Sequence, residues 1–196
     1  MRDVILAAFT ESAAALSSLM ANPSTLQAIE SAGMLLADTF RGGGRVYTCG
    51  NGGSICDAIH FAEELSGKFR LERRPLPAVA ISDPGHITCT ANDYGYEHVF
   101  ARFVEAQGRA GDVLVAISTS GKSPSMVTAA EQGKRLGLKV IALTGKSGSP
   151  LCAHADIEIC TTAGAYSDRV QELHIKVIHV LIELVERQLF PENYRS

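Results

Sequence analysis

The sequence predicts an α/β fold: a mostly parallel sheet with helices on both faces, preceded by a helical segment. Three observations predict it. From residue 45 onward, short apolar runs alternate with longer stretches of helical spacing. The run at 112–117 has the length and composition of a buried strand. Two of the runs, 45–49 and 112–117, lead into Gly- or Ser-rich turns and then into helical segments. No repeat, low-complexity tract or linker interrupts the 196 residues. The chain therefore reads as a single domain over 1–196, with N-terminal helices in 1–40 and the α/β core in 45–190.

The elements follow in order. Ile5, Phe9, Ala13, Leu16 and Met20 form one apolar stripe, which predicts a first helix. Asn22-Pro23-Ser24 breaks it, and Ser24 is placed to cap a second helix through Leu26, Ile29, Met34, Leu35 and Leu36. Gly42-Gly43-Gly44 ends that helix. Two helices before the first strand do not fit neatly on a small sheet, so they are expected to pack on one another or on another subunit. The first strand spans 45–49, and a helix of about 55–65 follows the turn at 50–54. Pro75 and Pro77 punctuate the chain before a strand at 78–81. A short helical stretch is expected around 86–91 and an amphipathic one at 97–107. The strand at 112–117 precedes a helix over 124–136, which Gly137 stops. Strands at 139–144 and 156–160 are separated by a turn at 145–150. A long helix of about 168–188 closes the fold, with Pro191 beyond it.

Composition sets limits. Hydrophobic content of 46% and charge of 20% are those of an ordinary globular protein. A net charge of −3 and the lack of any basic run argue against nucleic acid as partner. Met1-Arg2-Asp3 leads into a mixed amphipathic stretch, so no signal peptide is expected. No apolar run is expected to span a bilayer, and no membrane partner is expected. Cys49, Cys56, Cys89, Cys152 and Cys160 form no C-x-x-C pair, which fits a reducing, cytoplasmic setting. All five are expected to pack in the core, with a catalytic or zinc-binding role also open for Cys49 beside the Gly loop.

The stretch Ser118-Thr119-Ser120-Gly121-Lys122-Ser123 carries the most chemistry. A strand, a hydroxyl-rich turn and a helix N-terminus together hold an anion, because backbone N–H groups and the helix dipole face it. Read alone, the loop is equally a good turn and N-cap. The second loop, Gly50-Asn51-Gly52-Gly53-Ser54, favours a phosphorylated small molecule: its glycines let a ligand approach the main chain. The two turns are expected side by side at the carboxyl ends of the sheet, where open α/β folds bind ligands. Residues 116–123 also read A-x-x-x-x-G-K-S, one glycine short of a nucleotide-binding P-loop. No later strand ends in the carboxylate that such an enzyme uses for magnesium, since Asp156 opens its strand.

Two helices carry ionisable groups. Asp57, His60 and Glu64 share one face of the first core helix. Asp168, Gln171, Glu172, His174 and His179 lie on the closing helix, where spacing aligns Glu172 most closely with His179. If the helices converge, the set suits either zinc or metal-free proton transfer, and spacing leaves that choice open.

Cys49–Ser54, His60–Leu65, Ala91–Gly95, Ile117–Ser123 and Arg169–His174 resemble, in order and across essentially the whole chain, the sugar-isomerase (SIS) domain family in its phosphoheptose isomerase branch. The resemblance implies a flavodoxin-like three-layer α/β/α sandwich and a homotetramer. It implies isomerisation of sedoheptulose 7-phosphate to D-glycero-D-manno-heptose 7-phosphate, for the heptose of lipopolysaccharide core. Ser118, Thr119, Ser120 and Ser123 would hold the phosphate. Asn51, Gly52, Gly53, Ser54, Asn92, Asp93 and Gln171 would also contact substrate. His60, Glu64, Gln171 and His179 would bind zinc, with Glu64 and His179 as acid–base residues. The family thus prefers Gln171 to Glu172, against strict helical spacing. A non-catalytic relative that associates with a bacterial replication initiator is also similar, at Phe9-Thr10-Glu11-Ser12 and Leu189-Phe190-Pro191; Glu64 and His179 favour the enzyme.

Overall fold

A computed structural model describes residues 1–195 and arranges them as one five-stranded parallel sheet between two helical layers. The strands are β1 (Val46–Gly50), β2 (Ala78–Ala80), β3 (Val113–Ser118), β4 (Lys139–Thr144) and β5 (Ile157–Cys160), in the order β2-β1-β3-β4-β5. The helices are α1 (Arg2–Met20), α2 (Pro23–Arg41), α3 (Gly53–Ser66), α4 (Pro84–Tyr94), α5 (Val99–Gln107), α6 (Pro124–Arg135) and α7 (Ser167–Leu189). The strand order is that of a flavodoxin-like sheet, and it puts the switch point between β1 and β3. Their register runs from Val46 beside Val113 to Gly50 beside Ile117, so the Gly loop and the hydroxyl loop leave the sheet as neighbours.

Alternation along each strand builds two cores. Val46, Val113, Val115, Ile117, Ile141 and Leu143 pack against α2, α3 and α7. Tyr47, Cys49, Leu114, Ala116, Val140 and Ala142 pack against α5 and α6. β1 and β3 are buried throughout, as strands covered on both faces must be.

Several local expectations shift. Asn22, not Ser24, caps α2: its side chain accepts from the Thr25 amide at 3.2 Å, and the Ser24 hydroxyl donates to it at 2.7 Å. Pro23 is well suited to the first helical position, so the helix starts two residues earlier than a Ser24 cap would give. The same signal lengthens α4 beyond 86–91: Asp83 accepts from the His86 amide at 2.7 Å and Pro84 follows the cap. The stretch expected at 97–107 opens as a 3-10 turn, Tyr96–His98, before becoming α5.

The cysteines do not all pack inside. Cys49 is buried and desolvation pushes its thiol far up, as for a core residue. Cys56 and Cys89 are exposed, while Cys152 and Cys160 are half-buried. An odd scatter of cysteines says nothing about which helix face each one takes.

The two N-terminal helices have different fates. α2 lies on α7 and β5, whereas α1 touches chiefly α7 and buries only Ala15. Val4, Ile5, Leu6, Phe9 and Met20 of α1 remain exposed. Contrary to the expectation of no bilayer-length apolar segment, α1 is long and apolar enough to cross a membrane by length and composition, at a mean hydropathy of 1.3. Alanines raise that mean across the interrupting Asp3 and Glu11, so no continuous apolar run had signalled it.

Candidate active site

Two helix N-termini open on the β1/β3 seam, and neither is capped by its own side chain. At α3 the cap position is Gly52, whose φ of 57° lies in the left-handed region that glycine tolerates. Gly53 admits the Gln171 side chain of α7 so closely that a Cβ there would lie 2.6 Å from Nε2. At α6 the cap position is Ser123, whose hydroxyl makes no cap bond. The Ser118 hydroxyl accepts from the Gly121 amide at 3.1 Å, and the Ser120 hydroxyl from the Lys122 amide at 3.2 Å. Both hydroxyl protons are thereby left to donate elsewhere.

These groups line a cavity of about 320 Å³. Asn51, Gly52, Gly53, Ser54, Ser118, Thr119, Ser120, Ser123 and Gln171 all contribute to it. Orphan helix amides and hydroxyl donors are the groups that suit an anion. A larger cleft of about 540 Å³ lies at the opposite end of the strands, around Arg45 and Asp112, and holds none of the expected site residues.

Further along α3 and α7 the ionisable groups meet. His60 Nε2 lies 3.3 Å from Glu64 Oε1 and 3.2 Å from His179 Nε2. The ligating atoms of the three residues all fall within 4.8 Å of one another. One ring nitrogen thus faces both a carboxylate oxygen and a second ring nitrogen, an arrangement suited to a shared cation. Burial, then the neighbouring His60, hold the His179 pKa below its usual value; Lys176 and Arg70 add to this and Glu64 opposes it. His179 is therefore neutral near pH 7, as a metal ligand or general base must be. Its ring stacks on Phe69 at 5.9 Å.

The remaining candidates separate. Glu172, favoured by spacing, turns to α1: it accepts from Ser12 at 2.6 Å and pairs with Arg169. Gln171 faces the cavity over Gly53. Asp57 is half-buried one turn before His60, with no hydrogen-bond partner for Oδ2 among the described residues; burial raises its pKa to about 6, and the proximity of His60 opposes this. Asn92 and Asp93 are exposed on α4 and bond to one another, outside the cavity. Asp168 is exposed beside Arg169, and His174 is fully buried.

Sequence reasoning missed Arg73. Its guanidinium donates to the carbonyls of Glu64 (2.7 Å), Leu65 (2.9 Å) and Gly67 (3.0 Å), and to Glu186 Oε1 of α7 at 2.8 Å. It thereby holds the end of α3 that carries Glu64. Nothing in the spacing of 72–77 marks one arginine out from its neighbours.

Known proteins share this fold and much of this sequence. The sequence model of the SIS domain matches residues 8–145. A phosphoheptose isomerase of Proteus mirabilis is 52% identical over 188 residues, covering 96% of this chain and 98% of the relative. A solved phosphoheptose isomerase from Francisella tularensis superposes with a TM-score of 0.88 at 36% identity, covering 94% of this chain and 97% of that one. One from Neisseria gonorrhoeae gives 0.87 at 35%, covering 94% and 98%. With likeness of this extent, the P-loop alternative at 116–123 is set aside.

Proposed function

Since the chain belongs to the SIS domain family and is a sugar-phosphate isomerase, we propose that it interconverts sedoheptulose 7-phosphate and D-glycero-D-manno-heptose 7-phosphate. The reaction would run through an enediol(ate) and supply the ADP-heptose precursor of lipopolysaccharide core, in the cytoplasm, from a homotetramer. The observation that carries this reading is the meeting of His60, Glu64 and His179 from α3 and α7, on the same two helices that border the anion cavity. The names of the relatives support the seven-carbon substrate.

In this reading Ser118, Thr119, Ser120 and Ser123, with the amides of α6, hold the phosphate. Asn51, Gly52, Gly53, Ser54 and Gln171 contact the sugar; Asn92 and Asp93, which lie outside the cavity on α4, are further contacts that the family resemblance implies. Fixing the phosphate end sets C1 and C2 beside Glu64 and His179, which lowers the barrier by positioning. Glu64 removes a carbon-bound proton and returns it to the adjacent carbon; His179 moves protons to and from the oxygens. His60, Glu64 and His179 would hold zinc; Gln171, expected as a fourth ligand, lies against Gly53 about two helical turns away from them. Ligands about 2.0–2.1 Å from a tetrahedral zinc stand roughly 3.3–3.4 Å apart. The contacts of 3.2 and 3.3 Å at His60 Nε2 fit that spacing. When bound, the metal would polarise the carbonyl and stabilise negative charge developing on oxygen.

The test is turnover of sedoheptulose 7-phosphate without nucleotide, before and after chelation, in the wild type and in Glu64→Gln. Glu64→Gln is expected to abolish exchange of the substrate C–H with solvent deuterium while sugar-phosphate binding stays measurable. Undiminished exchange would remove Glu64 as the base. Activity that survives verified metal removal would remove the zinc.

A further inference from the structure

Asn51 stands on the seam between the two loops, and its carboxamide is held from both sides. Its Nδ2 donates to Ser125 Oγ in the first turn of α6 at 2.9 Å, and its Oδ1 accepts from Tyr96 Oη at 2.9 Å. Ser125 is 2% exposed and does not move freely. Tyr96 belongs to the 3-10 turn Tyr96–His98, which the Thr128 hydroxyl of α6 anchors by donating to the Glu97 carbonyl. Both partners of the amide are thus tied to the helix that opens on the anion cavity.

A carboxamide has two N–H donors and two acceptor sites. Tyr96 and Ser125 use one of each. The group is planar, so two fixed bonds fix the direction of the N–H and the lone pair that remain. Asn51 lines the hydroxyl-rich cavity, and with Tyr96 and Ser125 it also lines a neighbouring one of about 520 Å³.

We propose that Tyr96 is a positioning residue for the sugar chain: its phenol hydroxyl, with Ser125, sets the plane of the Asn51 amide so that the free N–H and lone pair meet one substrate hydroxyl. A hydroxyl both donates and accepts, so it matches that pair where a carbonyl or a phosphate oxygen does not. The inference rests on the sugar-phosphate reading above. The chain of bonds holds no ionised group, and Asn51 precedes α3 whereas Glu64 lies about three turns along it. Its effect is therefore common to ground and transition states and belongs in KM.

The experiment is a double-mutant cycle with sedoheptulose 7-phosphate, on the wild type, Tyr96→Phe, Asn51→Ala and the double variant. Tyr96→Phe is expected to raise KM about three- to ten-fold, the range of one lost neutral hydrogen bond. Its kcat should stay within about two-fold, since the hydroxyl acts on binding alone. In the Asn51→Ala background the same change should have almost no effect. Ser125→Ala should shift KM in the same direction, and it serves as the second probe if Tyr96→Phe folds poorly. A wild-type KM in both Tyr96→Phe and Ser125→Ala overturns the proposal. So does a loss that persists without Asn51, or one that falls on kcat alone. A wild type that binds this sugar phosphate without turning it over sinks the reaction but not the clamp; the cycle is then read as Kd by calorimetry. Equal Kd in wild type and Tyr96→Phe overturns the clamp there too, and a wild type that binds no sugar phosphate overturns both.

Discussion

Among the described residues neither ring nitrogen of His174 has a hydrogen-bond partner of ordinary geometry, although its side chain is fully buried on α7. Burial lowers its pKa from 6.5 to about 4, and the nearby Thr144 backbone opposes the shift. The folded protein holds the ring neutral in a range where the unfolded chain takes up a proton. Stability is therefore unaffected above pH 6.5 and is lost as pH falls from there toward 4. The loss reaches about 3 kcal/mol at the lower end. Urea unfolding at pH 7 and pH 4.5 is expected to show a steeper decline in the wild type than in His174→Leu, and matching declines would refute the assignment. Periodicity had grouped His174 with the other ionisable residues of α7, because spacing cannot tell a buried sector from a lining one. Gln171 and Glu172 make the same point. Helical alignment favours Glu172, but α1 occupies that sector, supplying Ser12 and Glu11 to Glu172 and its neighbour Arg169.

Among the elements, α3 depends on one residue outside it. Arg73 and Glu186 form an ion pair with each side chain 1% exposed, and the Tyr194 hydroxyl donates to the second Glu186 oxygen at 2.6 Å. Removing one member of such a pair leaves a buried charge alone. Arg73→Met is expected to cost about 3–5 kcal/mol in urea unfolding. It also strips donors from the α3 carbonyls at Glu64 and Leu65. Arg73→Met with Glu186→Leu should recover most of that stability, and a double variant no better than the single would contradict the account. The strands and both ligand loops were legible because their signals are local: apolar runs followed by glycine or hydroxyl residues. The starts of α2 and α4 are also written locally, in Asn22-Pro23 and Asp83-Pro84, where a capping side chain is followed by proline at the first helical position.

For the whole molecule, α1 is the element left least covered, with only Ala15 buried. Val4 and Phe9 are each 69% exposed, and an apolar cavity of about 520 Å³ lies between α1 and α7 around Phe9, Leu16 and Leu173. The homotetramer proposed above would bury this face. Sedimentation is expected to give a four-chain species, which Val4→Asp with Phe9→Asp dissociates; a monomeric wild type would remove the assembly. The sequence by itself determined the parallel α/β plan and the adjacency of two ligand loops, because strand composition and turn chemistry are written within a few residues of one another. Residue type and helical spacing put His60, Glu64 and His179 in a wider set of candidates on two helices, and the family resemblance singled them out together with Gln171. Only the tertiary structure decided that these three converge, that Gln171 faces the cavity while Glu172 turns away, and that Arg73 braces α3. The crossing of α3 with α7, and the docking of α1, place side chains more than a hundred residues apart in contact, and no local pattern encodes that.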